Sequence, residues 1–228
     1  HPKDFCSLLK LACLFIFIAL IGCSSAEKKS DTPEGAWEIA KEFDKDERYE
    51  EAIQRYNEVK NKFPYSRFAT ESELAIADVY FKRESYPEAQ AAYSVFKEMH
   101  PKHPRTDYVI FRIGMSYFHQ LPETPDRDLS LAKNALAAFD DLLTLFPTSE
   151  HAAEAKAKHK HASTLLAERE YLIGDYYFTR NQFDSALPRF EKVLSSYPGL
   201  GVDSRALSRA AIAASKNGQK KKKKKYYS

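Results

Sequence analysis

Residues 77–101 read ADVYFKRESYPEAQAAYSVFKEMHP, and residues 40–64 read AKEFDKDERYEEAIQRYNEVKNKFP. The stretches lie 37 residues apart and repeat one chemistry: Ala40 and Ala77, Phe43 and Tyr80, Ala52 and Ala89, Tyr56 and Tyr93, Val59 and Phe96, Pro64 and Pro101. Apolar residues three and four apart fit helices rather than strands. The small residues stand where two helices must approach closely. The aromatics fill the space that remains, each contributing roughly 1.5–3 kcal/mol when buried. The proline cannot continue a helix and stops the second one. Each unit is therefore a pair of antiparallel helices.

Two further units keep the pattern. The third has Gly114, Tyr117, Ala135, Phe139, Leu142 and Pro147; the fourth has Gly174, Tyr177, Ala186, Phe190, Val193 and Pro198. This resembles the tetratricopeptide repeat. The fold expected is all-α: a right-handed superhelix of about four complete helix pairs plus a partial fifth, with a concave face. Between Gly114 and Ala135 the third unit carries about nine extra residues, read as a surface loop near 119–131 because of Pro122, Pro125 and its charges. Residues 149–180 lack proline and predict one long helix, or two coaxial ones, with Ser149 as its N-cap. A fifth unit opens near Val202, with Leu207, Ala211 and Ala214 at helical spacing. Its second helix is due after Gly218, where the chain becomes KKKKKKYYS. Six adjacent like charges disfavour a packed helix, so the array is expected to end half a repeat early. The organisation expected is repeats one to three over 34–148, the long helix with repeats four and five over 149–217, and a lysine-rich tail over 218–228.

The N-terminus reads as an address. Lys3 and Lys10 precede an apolar stretch, Leu11 to Ile21, too short for an ordinary spanning helix. It ends in Leu20-Ile21-Gly22-Cys23, which is similar to a lipobox. Residues 1–22 are thus expected to be a lipoprotein signal peptide, and the Cys23 thiol to take the diacylglyceryl group. Ser24 resembles the outer-membrane default rather than a retention signal. Several acyl chains anchor firmly, at about 0.8 kcal/mol per buried methylene. Residues 23–33 then form a lipidated tether. The sequence starts at His1 rather than Met, which points to an incomplete N-terminus. All three cysteines, Cys6, Cys13 and Cys23, lie in this segment, so no disulfide is expected within the body. The net charge is only +3, and the lysine run at 220–225 supplies the excess, so no nucleic-acid partner is expected. That run is read as a disordered tail or the product of a shifted reading frame, without function.

Some segments lie outside the repeat consensus. These are His103-Pro104-Arg105-Thr106-Asp107-Tyr108-Val109, Ala89-Gln90-Ala91-Ala92 with His100-Pro101-Lys102-His103-Pro104, Asp126-Arg127-Asp128, and Tyr176-Tyr177-Phe178-Thr179-Arg180. With the lipobox, unit order and insert position, they resemble the BamD family of outer-membrane protein assembly lipoproteins. The resemblance covers about residues 20–215. It implies a periplasm-facing adaptor on the outer membrane, held there by its N-terminal lipid, within the β-barrel assembly machinery. The implied partners are the POTRA region of the barrel-forming insertase, other assembly lipoproteins and unfolded outer-membrane proteins. Arg189 matches a family arginine associated with the insertase contact, and Arg180 lies on the preceding helix. The groove candidates for clients are Glu73, Tyr80, Tyr108, Phe111 and Arg112, polar or aromatic positions on first helices; for the aromatics the competing reading is core packing.

No signature of catalysis stands in the sequence: no glycine-rich phosphate loop, nucleophile elbow or HExxH. His100, His103, His151, His159 and His161 have no carboxylate at a ligand spacing, so no metal or cofactor is expected. The alternative to the adaptor reading is a periplasmic repeat lipoprotein that scaffolds envelope or cell-division complexes. The HPRTDYV entry and the DRD insert discriminate, since a general scaffold need not share them.

Overall fold

The structure, a computed structural model, describes residues 30–218. The signal-like segment, Cys23 and the lysines at 220–225 lie outside the described residues. The described residues divide into two compact units, 30–69 and 70–218.

The first unit holds one helix pair, α1 (Pro33–Lys45) and α2 (Tyr49–Lys62). Thr32 caps α1, its Oγ1 accepting the Gly35 N–H at 3.1 Å, while Pro33 takes a first-turn position that needs no N–H. Ala40, Ala52, Tyr56 and Val59 are buried as the spacing requires. Phe43 is only partly buried and lies under the guanidinium groups of Arg48 and Arg55.

The second unit is built from α3 (Arg67–Lys82, whose first turn belongs to the first unit), α4 (Tyr86–Met99), α5 (Thr106–His119), α6 (Ala132–Leu145), α7 (Ala152–Thr179), α8 (Phe183–Ser196) and α9 (Asp203–Lys216). Among the described residues every regular element is a helix. Tyr93 and Phe96 of α4 pack with Leu74 and Ala77 of α3 and Val109 and Ile113 of α5. Phe139 and Leu142 of α6 pack with Ile110, Phe111 and Met115 of α5 and Ala155 of α7. Phe190 and Val193 of α8 pack with Ala167 of α7 and Ala206, Ala210 and Ala213 of α9.

Two recurrent turns join these helices. Within pairs, Glu47, Glu84 and Asn181 adopt left-handed backbone at φ 58°, 61° and 59°. The next N–H reaches back to a repeat aromatic's carbonyl: Arg48 to Phe43, Ser85 to Tyr80, Gln182 to Tyr177, each at 2.9 Å. This is the Schellman termination of a helix. Between pairs, the residue before each proline leaves the helical region, as at Phe63 (φ −130°, ψ 54°), because the proline ring excludes it. Pro64, Pro101 and Pro147 then occupy the second position of a tight turn, closed by Ser66 N–H to Phe63 O, His103 N–H to His100 O and Ser149 N–H to Phe146 O, all at 3.0 Å.

Three local expectations are corrected. The long segment is a single helix, α7, but it begins at Ala152 rather than at Ser149. Ser149 instead closes the connector, its Oγ accepting the His151 N–H and donating to Asp107. The insert is not wholly a surface loop: Leu129 is buried against Ala132 and Leu165, which pins the loop to the body. On α9 the packed stripe is Ala206, Ala210, Ala213 and Ala214, whereas Leu207 is 37% exposed; methyl groups alone fit the close approach to α8. No helix of the described residues is long and apolar enough to cross a membrane.

Candidate partner-binding surfaces

A polar network joins three helices of the second unit. Asp78, next to the small Ala77 of α3, accepts hydrogen bonds from Tyr93 Oη of α4 at 2.6 Å and Tyr108 Oη of α5 at 2.7 Å. Arg112 Nε, one turn beyond on α5, donates to Tyr108 Oη at 3.0 Å. The Arg112 guanidinium lies 4.4 Å from the Phe81 ring centre and 5.1 Å from that of Tyr108. Burial pushes both tyrosine hydroxyls well above their ordinary range, and the Asp78 charge pushes them further. They therefore stay protonated and act as donors, so that the acid is satisfied.

The groove candidates do not form one cluster. Tyr108 and Arg112 meet in this network. Tyr80 is partly buried beneath the Arg83 guanidinium. Glu73 faces the connector, its Oε2 2.7 Å from His100 Nε2. Phe111 is 4% exposed and stacks on the His151 ring with centroids 4.8 Å apart, so for this residue the packing alternative applies. Asp107, Ser149 and His151 bring together the residue types of a hydrolase. The arrangement differs, because Ser149 Oγ gives its proton to Asp107 at 2.6 Å while the His151 ring lies flat on Phe111. Among the described residues no group of His, Cys, Asp and Glu has metal-binding geometry.

On α7 and α8, Glu170 carries a second polar centre. Its side chain is only 12% exposed and accepts from Arg189 Nη1 at 2.9 Å and from Lys192 Nζ. Burial alone would raise the Glu170 carboxyl; hydrogen bonds from Lys192 and Arg189 outweigh it and hold the carboxyl below the usual glutamate range. Arg189 is thus a cation fixed by a partly buried acid, with its side chain still 41% exposed. Arg180 closes α7, its Nη1 donating to the Tyr176 carbonyl and its guanidinium 3.6 Å from the centre of the Tyr176 ring.

The YfiO family, described as outer membrane lipoprotein, matches residues 29–228. The chain belongs to that family. Among YfiO-family relatives, the "Outer membrane protein assembly factor BamD" of Neisseria meningitidis serogroup A is 29% identical over 180 residues, 75% of this chain and 67% of that protein. The protein of the same name in Caulobacter vibrioides is 28% identical over 161 residues, 71% of this chain and 52% of that protein. That of Rickettsia prowazekii is 25% identical over 190 residues, 82% of this chain and 75% of that protein. The chain thus spans about two thirds of the length of the first of these relatives. A solved structure of the TPR2AB domain of yeast Sti1 in complex with pHSP90 is similar at a TM-score of 0.47 and 19% identity, over 81% of this chain and 70% of that one.

Two acids at the centre of these surfaces, Asp78 and Glu170, escape a reading based on apolar spacing, yet the repeat does carry them. Glu73 and Glu170 each stand four residues before the small residue of their helix, and Asp78 and Asp175 each stand one after it. Asp175 pairs with Arg209 of α9 at 3.1 Å, as Asp78 bonds Tyr108 of α5. In this YfiO-family chain the recurrence of an acid beside the small residue is the signal that could have found them.

Proposed function

We propose that this chain is a non-catalytic adaptor of outer-membrane protein assembly, lipid-anchored through Cys23 to the periplasmic face of the outer membrane. Its C-terminal repeats bind the POTRA region of the barrel-forming insertase, with Arg189 and Arg180 on the contact. Its N-terminal repeats receive unfolded outer-membrane proteins, with Tyr80, Tyr108, Arg112 and Glu73 as candidates for the groove. Other assembly lipoproteins complete the complex. The observation that carries this reading is the family match over residues 29–228 together with relatives named as assembly factors. The fixed, half-exposed Arg189 supports it, since a guanidinium held by a partly buried acid keeps donors for a partner's carboxylate.

The test is a pull-down of the chain with POTRA fragments, alongside Arg189→Glu. Wild type should bind, and the variant should lose binding with unchanged helix content by circular dichroism. A folded wild-type chain that fails to bind sinks the assignment; full binding by the variant moves the interface elsewhere.

A further inference from the structure

A shallow groove of about 300 Å³ lies between the insert and the C-terminal half of α7. Pro125 and Asp126 form one wall; Arg169, Leu172, Ile173 and Tyr176 form the other. Leu172 is 43% and Tyr176 53% exposed, on a stretch of helix where Tyr171 and Phe178 pack inward and the partly buried Tyr177 also borders the groove. Residues 172, 173 and 176 share one helix face. The walls are braced: Arg169 Nη1 donates to the Arg127 carbonyl at 3.0 Å, and buried Leu129 anchors the loop. The groove has room for one bulky side chain and part of a second, which suits a peptide anchor rather than an enclosed small molecule.

The charges around it are distributed unevenly. The cations of α8 and α9 that face α7 each rest on a carboxylate: Arg189 and Lys192 on Glu170, Arg205 on Glu168, Arg209 on Asp175. Arg169, in the groove wall, is held by the Arg127 carbonyl, and Arg180, over the ring of the groove residue Tyr176, by the Tyr176 carbonyl and that ring, with no ion pair among the described residues. Two of the three acids of the insert are engaged within the loop: Thr124 donates to Asp126, and Asp128 accepts from the Ser130 N–H and hydroxyl. Asp128 feels the Arg169 charge only weakly beside those bonds. Two positive charges on the α7 side thus outnumber the one wall carboxylate, Asp126, around an exposed apolar floor, an excess complementary to an acidic, apolar segment.

We propose that this groove docks a segment of the partner protein that pairs a bulky aliphatic or aromatic side chain with a flanking Asp or Glu. The apolar side chain lies on Leu172, Ile173 and Tyr176, and the carboxylate meets Arg169 or Arg180. The proposal rests on the reading of the C-terminal repeats as the partner side, and extends that side from Arg189 to the insert.

The test uses the full chain and capped fluorescent peptides, acetylated and amidated, read by anisotropy. One peptide alternates Asp with Leu and Phe; a second carries Lys for Asp; a third carries Ser for the apolar residues; a fourth has no acidic side chain but a free C-terminal carboxylate. The first should bind saturably, and the second and third should not compete. Leu172→Ser, and separately Arg169→Gln with Arg180→Gln, should each weaken it about tenfold, the loss of one good contact. Melting temperatures and helix content by circular dichroism verify that these variants fold. Equal binding of Asp and Lys peptides, unchanged affinity in the groove variants, or preference for the free carboxylate overturns the proposal. POTRA fragments separate the two readings. If Arg189→Glu abolishes POTRA binding while the groove variants bind as wild type, the groove is not part of that interface and the adaptor reading stands. If wild type binds no POTRA fragment, the adaptor reading falls and the peptides alone decide the groove.

Discussion

Gly114 and Gly174 stand where the first two units have Ala40 and Ala77. A Cβ at Gly114 would lie 2.6 Å from Phe139 Cε1, and one at Gly174 2.7 Å from Phe190 Cε1. Both rings are fully buried and cannot swing aside. Where the chain has alanine, the facing ring is Tyr56 or Tyr93 instead, so glycine goes with phenylalanine and alanine with tyrosine. The spacing marks these positions as small, but which small residue each needs depends on the ring opposite, which periodicity does not reveal. Gly174→Ala should therefore lower stability by roughly 1–3 kcal/mol through overpacking, measured by urea denaturation. Tyr93 adds a polar requirement, since its hydroxyl is one of two donors to Asp78. Tyr93→Phe should cost about 1 kcal/mol, the net worth of a typical hydrogen bond. Tyr93→Phe with Tyr108→Phe should cost more than the two single changes added, because Asp78 then loses both hydroxyl donors. Strict additivity would show that the network is not cooperative.

At the scale of elements, α7 carries most of what the sequence left open. It serves two packing groups: Ala155 joins the α5–α6 core, and Ala167 joins the α8–α9 core. Its weak amphipathic pattern follows from this, because successive turns bury different faces. Boundary residues were hard to read for the same reason, and Ser149 was drawn into the connector by Asp107, a residue 42 positions away. Glu170 on α7 gives a pH dependence. Its folded carboxyl lies below the ordinary value of 4.5, so its stabilising contribution is complete above that value and is lost as pH falls through the lower, folded one. As pH falls below about 4.5, Glu170→Gln should lose less stability than wild type. Parallel acid titrations followed by circular dichroism check this; identical slopes would mean that Glu170 gains nothing from Arg189 and Lys192.

For the whole molecule, the order of helices was legible because each pair rests on a handful of apolar positions whose spacing survives in the sequence. Partner surfaces were less so, because polar side chains are recruited across helices: Arg112 and Tyr108 came together as one site, while Glu73 and Phe111 went elsewhere. The prediction at this scale is the one that reads the assembled chain, loss of POTRA binding in Arg189→Glu without loss of helix content. The left-handed residues bear on something else. Glu47, Glu84 and Asn181 close three of the four complete pairs with backbone bonds, and in the third pair the insert stands in that place. Length has been added there while Phe139 and Leu142 still meet their α5 partners. The turn inside a pair is thus a port for added chain, whereas the proline connectors are not. A Gly/Ser loop of about ten residues after Glu84 should cost only the slowly growing entropy of loop closure and leave the melt nearly unchanged. The same loop after Pro101 should separate α4 from α5 and melt the second unit early. In this chain, length can thus be added at the first kind of turn while the second keeps register.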